Sequence, residues 1–288
     1  MSDLTQTNGS FEVSVGHTIA WLRWETPRHT LRLLFVHATG FCKEVWRPTV
    51  DELAERGLEF SATALDQMGH GASTRNWDVA VDWWQNGKDI VQLADGEPFD
   101  MVVGHSSGAG AAMLGALIDP RLTHRLVLVE PIVFPPPYVS IDDHPLVRGT
   151  RRRKTRFDSP AAVYANFHGR GTFAGWDERV FEEYMKAGFV DHPDGSVRLA
   201  CDSRHEAEFY SSATLHGGWD RMGEVTAQTH VVAGELSDSH SADFIEIQRQ
   251  RLNATSEILM GLGHLVPMED PGVMADVVIR QLGDTAGL

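Results

Sequence analysis

The chain has 288 residues, 42% hydrophobic and 23% charged, enough for the core of one large α/β domain or two small ones. Forty acidic against 25 basic side chains leave a formal charge of −15, which makes nucleic acid or an anionic membrane a poor partner. Two cysteines, Cys42 and Cys201, fit a reducing cytoplasm better than a disulfide framework, and neither a secretory signal in the polar Met1–Ser10 start nor an apolar run near ~20 residues is found.

Strand and helix signals alternate along the chain. Phe11 to Trp24 predicts a hairpin turning at Gly16-His17. Leu31 to His37 is nearly all apolar, as a strand buried on both faces should be. Helical spacing over Val45 to Gly57 is followed by a strand over Leu58 to Leu65 and a helix over Trp83 to Leu93. A strand over Met101 to Gly104 leads into a helix after Ser106, then a strand over Leu126 to Glu130. Regularity breaks between about Val133 and Val225, where Pro135-Pro136-Pro137 leaves the sheet and aromatics at helical spacing follow. The pattern resumes with a strand over His230 to Ala233, a helix over Ser241 to Leu252, a strand over Glu257 to Met260 and a helix over Val273 to Leu282. This order predicts an α/β fold with a mostly parallel sheet, helices on both faces and a helical cap inserted after the sixth strand. The expected division is core 1–133, cap 134–225 and core 226–288.

The most informative string is Gly104-His105-Ser106-Ser107-Gly108, a G-x-S-x-G motif between a strand and a helix. A serine there sits on a strained turn and projects above the sheet edge, with flanking glycines where a Cβ would clash. A serine hydroxyl needs a base. Of fourteen histidines, His264 in Gly261-Leu262-Gly263-His264 follows a strand and lies on a loop at the same sheet edge. His105 neighbours the nucleophile and points elsewhere; His37 and His70 read as loop braces.

With these residues placed, the chain resembles the α/β-hydrolase superfamily. The matching strings are His37-Ala38-Thr39-Gly40-Phe41, Asp66-Gln67-Met68-Gly69-His70-Gly71-Ala72-Ser73, the turn around Ser106, Gly234-Glu235-Leu236-Ser237-Asp238, and Gly261 to His264. The resemblance implies an eight-stranded sheet and acyl transfer to water through an acyl-enzyme on Ser106. The backbone N–H groups of Ser107 and Thr39, with Phe41 as an alternative to Thr39, would hold the oxyanion. It leaves two candidates for the acid behind His264. Asp238 follows the seventh strand, one residue past the usual G-x-x-D position. Glu130 ends the sixth strand, as in lactone hydrolases of the zearalenone type, which His105 to Ala109 also resembles.

The expected substrate is a carboxylic ester or lactone of modest size with an apolar body, bound by Phe41, Trp176 and Trp219. Thioester, amide or carbon–carbon bond hydrolysis on the same triad, or a receptor-like protein with little turnover, are the alternatives. No metal or other cofactor is expected, since H-E-x-x-H and paired cysteines are missing. The basic run Arg148, Arg151, Arg152, Arg153, Lys154 and Arg156 reads as a solvated helix face, with attraction of an anionic substrate as the functional alternative. Oligomeric state is not encoded in any stripe or coiled coil.

Overall fold

A computed structural model describes residues 4–13 and 16–283. The first two strands, β1 (Thr5–Val13) and β2 (His17–Glu25), pair antiparallel. Then come β3 (Leu31–Val36), helix α1 (Arg47–Glu55), β4 (Phe60–Leu65), α2 (Trp83–Ala94), β5 (Phe99–His105), α3 (Ser107–Ile118) and β6 (Thr123–Val129). After a long excursion the chain returns through β10 (Gln228–Gly234), α8 (Ala242–Arg251), β11 (Thr255–Leu259), the short α9 (Val266–Glu269) and α10 (Pro271–Leu282). The eight strands are ordered β1-β2-β4-β3-β5-β6-β10-β11, parallel from β4 onward.

Each central strand is buried on both faces, and its alternation shows which side chain goes where. Leu31, Leu33 and Phe35 of β3 join one core, with α1 and α10, while Leu34 and Val36 join the other, with α2, α3 and α8. Helix α3 is buried all round because its residues are small. A Cβ on Gly87 of α2 would come within 2.9 Å of the Gly115 backbone in α3, so the two helices touch main chain to main chain.

The excursion between β6 and β10 holds α4 (Pro145–Arg152), α5 (Pro160–Phe167), α6 (Glu178–Ala187) and α7 (Ser203–Ser211). It also holds a small antiparallel sheet of β7 (Arg156–Phe157), β8 (Phe189–Asp191) and β9 (Val197–Leu199), in the order β7-β9-β8. That sheet corrects the purely helical expectation: strands of two or three residues are too short to carry a period-two pattern. Among the described residues no helix is long and apolar enough to cross a membrane.

Candidate active site

Ser106 joins β5 to α3 at φ 54°, ψ −114°. Its N–H donates to Val129 O at 2.8 Å, and its carbonyl accepts from Gly110 and Ile132. The main chain is thus held from both sides in a conformation that costs a non-glycine residue about 1–3 kcal/mol. The flanking glycines stand where a Cβ would clash, as expected. Neither takes positive φ. A Cβ on Gly104 would lie 2.5 Å from Gly108 O, and one on Gly108 would lie 2.3 Å from Val36 O. They permit close approach, while the serine itself takes the left-handed turn. Ser106 occupies the N-cap of α3, yet its side chain makes no capping bond, so Oγ is not spent on the helix.

His264 lies on the loop after β11, and that loop is pinned from several directions. The Glu269 carboxylate accepts from Gly263 N at 2.7 Å and from Leu265 N at 3.2 Å. Gly234 packs so closely on the loop that a Cβ there would lie 2.1 Å from Gly263 O. His105 points away from the nucleophile and its Nε2 meets the His264 carbonyl at 2.9 Å. A carbonyl only accepts, so Nε2 carries the proton; burial lowers the His105 pKa to about 3, which keeps the ring neutral.

Glu130, at the end of β6, carries the partner of His264. His264 Nδ1 donates to Glu130 Oε2 at 2.5 Å. The same oxygen accepts from Ser237 Oγ at 2.6 Å, and Oε1 accepts from Gly234 N at 3.0 Å. Burial alone would raise this carboxyl, but the nearness of His240 and the bonds from His264 and Ser237 outweigh it and hold the pKa well below 4.5. Asp238 is not brought to His264. Its side chain is exposed, and its one hydrogen bond among the described residues is a 3.5 Å contact from Ser239 Oγ. The physical reason lies one residue earlier. Ser237 Oγ turns inward onto Glu130, so Asp238 turns out.

The loop after β3 brings Thr39 to the site. Phe41 N is consumed by Ala38 O at 3.2 Å, whereas Thr39 N and Ser107 N donate to nothing among the described residues. Gln67 ties the two donor segments together. Its Nε2 donates to His37 O at 2.6 Å and to Ser107 Oγ at 3.0 Å. Gln67 N also donates to His37 Nε2 at 3.1 Å, so His37 carries its proton on Nδ1, toward Ala38 O at 2.7 Å. Burial pushes His37 down to about 4, consistent with a neutral brace. Gln67 escaped notice in the sequence, although it stands inside the Asp66 to Ser73 string.

Phe41 meets Trp176 with ring centroids 5.0 Å apart, and both meet Tyr184 at 5.8 Å. Trp219 is a correction: it stacks parallel to Phe244 at 5.8 Å under the Arg251 guanidinium, as buried core beside α3 and α8, so its rings have no face for substrate. A cavity of about 300 Å³ opens beside Thr39, Gly40 and Phe41, with Phe173, Tyr184 and Arg153 on its walls. Arg153 Nη1 donates to buried Glu206 at 2.9 Å, so one residue of the basic run turns inward while Arg151 and Arg156 pair with Asp142 and Asp194 outside. A larger hollow of about 840 Å³, lined by Trp21, Arg23 and Phe99, shares no residue with these loops. It lies toward the amino ends of β3 and β5, whereas ligands of open α/β sheets bind at the carboxyl ends.

A family model described as the alpha/beta hydrolase family matches residues 33–277. The peroxisomal membrane protein LPX1 of Saccharomyces cerevisiae is 23% identical over 290 residues, spanning 88% of this chain and 74% of that protein. Its crystal structure superposes with a TM-score of 0.83 at 17% identity, over 98% of this chain and 89% of that one. Lipase LipV of Mycobacterium tuberculosis is 26% identical over 269 residues, 89% of this chain and 95% of its own. The type I acyl-CoA thioesterase mpaH of Penicillium roqueforti is 28% identical over 187 residues, 58% of this chain and 42% of its own.

Proposed function

The chain belongs to the alpha/beta hydrolase family, and we propose that it is a serine hydrolase of carboxylic esters or lactones, acting through an acyl-enzyme on Ser106. The observation that carries this reading is the 2.5 Å bond from His264 Nδ1 to Glu130. With Nδ1 fixed as the donor, Nε2 is left with the lone pair that a base needs. In the proposed first step Ser106 Oγ attacks the acyl carbon and its proton passes to His264 Nε2. The developing oxyanion is taken by Ser107 N–H and Thr39 N–H, donors with no other bond among the described residues. Glu130 stays ionised and stabilises the imidazolium. The tetrahedral intermediate collapses, the alkoxide leaves with the proton from His264, and water repeats the sequence in reverse on the acyl-enzyme.

Segment 134–225 acts as the cap in this reading, because α4, α6 and α7 supply the walls of the cavity beside Thr39. Those walls mix aromatic rings with the Arg153–Glu206 pair, which favours an acyl group with an apolar body and a polar end over a purely apolar chain. The likeness to lipase LipV supports the ester reading, and the likeness to the acyl-CoA thioesterase mpaH supports thioester hydrolysis as the second reading, on the same residues. Two buried free thiols, Cys42 and Cys201, suit a reducing compartment such as the cytoplasm.

The test is labelling with a fluorophosphonate, together with turnover of matched short-chain nitrophenyl esters and acyl thioesters. Label on Ser106 and ester turnover, both abolished in Ser106→Ala, support the proposal. A protein that neither labels nor turns over any of these substrates would overturn it.

A further inference from the structure

Among the described residues one group of histidine and carboxylate side chains converges closely enough to hold a metal ion: Glu130, His240 and His264, with all three ligand atoms within 4.8 Å of one another. His240 is the member that the reaction above does not use. It is buried, and its Nε2 meets Pro131 O at 3.1 Å. A carbonyl only accepts, so Nε2 carries a proton; Nδ1 then holds either a second proton, the form in which its nearness lowers Glu130, or a lone pair open to an ion. That Nδ1 is fully buried, has no hydrogen-bond partner and faces Glu130 Oε2 at 3.4 Å. A lone pair buried against a carboxylate oxygen is repulsive unless something positive lies between them.

The spacing suits a metal as that positive centre. Zinc binds nitrogen and oxygen ligands at about 2.0–2.2 Å in a tetrahedron, which puts neighbouring ligands roughly 3.4 Å apart. The Glu130–His240 distance already has that value. The 2.5 Å Glu130–His264 contact has to open, and the His264 side chain is one-fifth exposed, so its ring has room to swing; the two imidazole nitrogens lie within 4.8 Å of each other, and Ser237 Oγ keeps its bond to the same carboxylate oxygen. The bond from His240 to Pro131 is the kind of outer contact that fixes a metal-binding imidazole in the right tautomer. No local spacing in the sequence announces this group, because its three members come from three separate loops.

We propose that Glu130 Oε2, His240 Nδ1 and His264 Nδ1 form a site for a divalent transition-metal ion of the zinc class, and that its occupation silences Ser106. When the ion takes the lone pair at His264 Nδ1, the proton held there moves to Nε2 and the ring keeps one proton. Nε2 then has an N–H where the reaction needs a lone pair, and Ser106 has no base. The blocking step rests on the proposed role of His264; the binding does not.

Binding is therefore measured without activity, by calorimetric titration of untagged Ser106→Ala protein with zinc chloride, and with cobalt(II) read by visible absorption. One ion per chain, with the strong visible bands of a tetrahedral cobalt site, is expected. His240→Phe removes one ligand yet keeps a flat ring between Phe134 and Phe244, and Gln248 still donates to Pro131 O at 3.0 Å. It should weaken binding by roughly tenfold or more, and Glu130→Gln in the same background should do likewise. In the active protein, zinc should inhibit ester turnover, and His240→Phe should need correspondingly more zinc. No stoichiometric binding in Ser106→Ala protein would overturn the site and mean that only a proton sits between His240 and Glu130. Unchanged binding in both variants would also overturn it. Tight binding without inhibition would overturn the blocking step. A chain inactive on every ester would leave the titration as the deciding measurement.

Discussion

Ser106 and Glu130 both hold positive φ angles, 54° and 46°, at the carboxyl ends of the neighbouring strands β5 and β6. Each is pinned in the same way, by its own N–H to the strand next along the sheet: Ser106 to Val129 O and Glu130 to Val232 O, both at 2.8 Å. The strand ladder thus sustains two strained residues side by side. The first aims a hydroxyl at the site and the second aims a carboxylate at His264.

That pairing separates the two acids. Glu130→Gln keeps the side-chain shape but loses the charge facing His264, and kcat should fall on the order of 10³–10⁴-fold. Asp238→Ala should leave kcat near wild type, because Asp238 is exposed and turned toward Ser239. Steady-state kinetics on one nitrophenyl ester decides it; an equally deep loss in Asp238→Ala would sink the assignment of Glu130.

The glycines of the turn should be unforgiving positions of the fold. Gly104→Ala and Gly108→Ala each force a Cβ to within 2.6 Å of rigid main chain. Each is expected to cost about 1–3 kcal/mol or more in urea unfolding. Gly149, inside α4, has no positive φ, and a Cβ added there would meet nothing within 4 Å. Gly149→Ala should raise stability by about 0.4–1 kcal/mol.

These contrasts show what the sequence could carry. The order of elements, Ser106, the His264 loop and both candidate acids were readable, because strand periodicity and glycine-bounded turns are local signals. The choice between Asp238 and Glu130 was not, since it depends on Ser237 turning inward across 107 residues of chain onto Glu130. Gln67 and Arg153 were hidden for the same reason: one bridges two loops distant in sequence, and the other looks like its basic neighbours until the fold turns it onto Glu206. Trp219 misled because a tryptophan bordering an aromatic insertion reads the same whether it faces a pocket or a helix.

Acid should unfold the protein from a mildly acidic pH onward. Burial lowers His37 and His216 to about 4, and His70, His105 and His205 to about 3. Unfolded, each returns to about 6.5. Between those values the unfolded chain binds more protons than the folded one, so stability is complete above about pH 6.5 and falls as the pH drops toward 3. Glu130 adds a loss below 4.5, since its carboxyl is held well below that value. Burial raises Asp66 and Glu206, which act in the opposite sense but are fewer. Urea midpoints measured from about pH 7.5 down to 4 should decline steadily; a flat profile would contradict neutral buried histidines.

The Arg153–Glu206 pair should respond asymmetrically to the loss of either partner. Arg153 is one-third exposed and can turn to water, whereas the Glu206 side chain is 4% exposed and cannot. Glu206→Leu should therefore be mild. Arg153→Met strands a buried carboxylate, for which about 3–5 kcal/mol is usual in a fully buried pair, and somewhat less is expected here because the arginine is partly solvated. Glu206 has an escape, since burial already raises its pKa and protonation would remove the stranded charge. Its folded-state pKa in Arg153→Met should stand above the unfolded value, so the deficit relative to wild type should shrink as the pH falls. Thermal melts of both variants at neutral and mildly acidic pH test this. A pH-independent deficit, or an equal one in Glu206→Leu, would mean that packing rather than the stranded charge sets the loss.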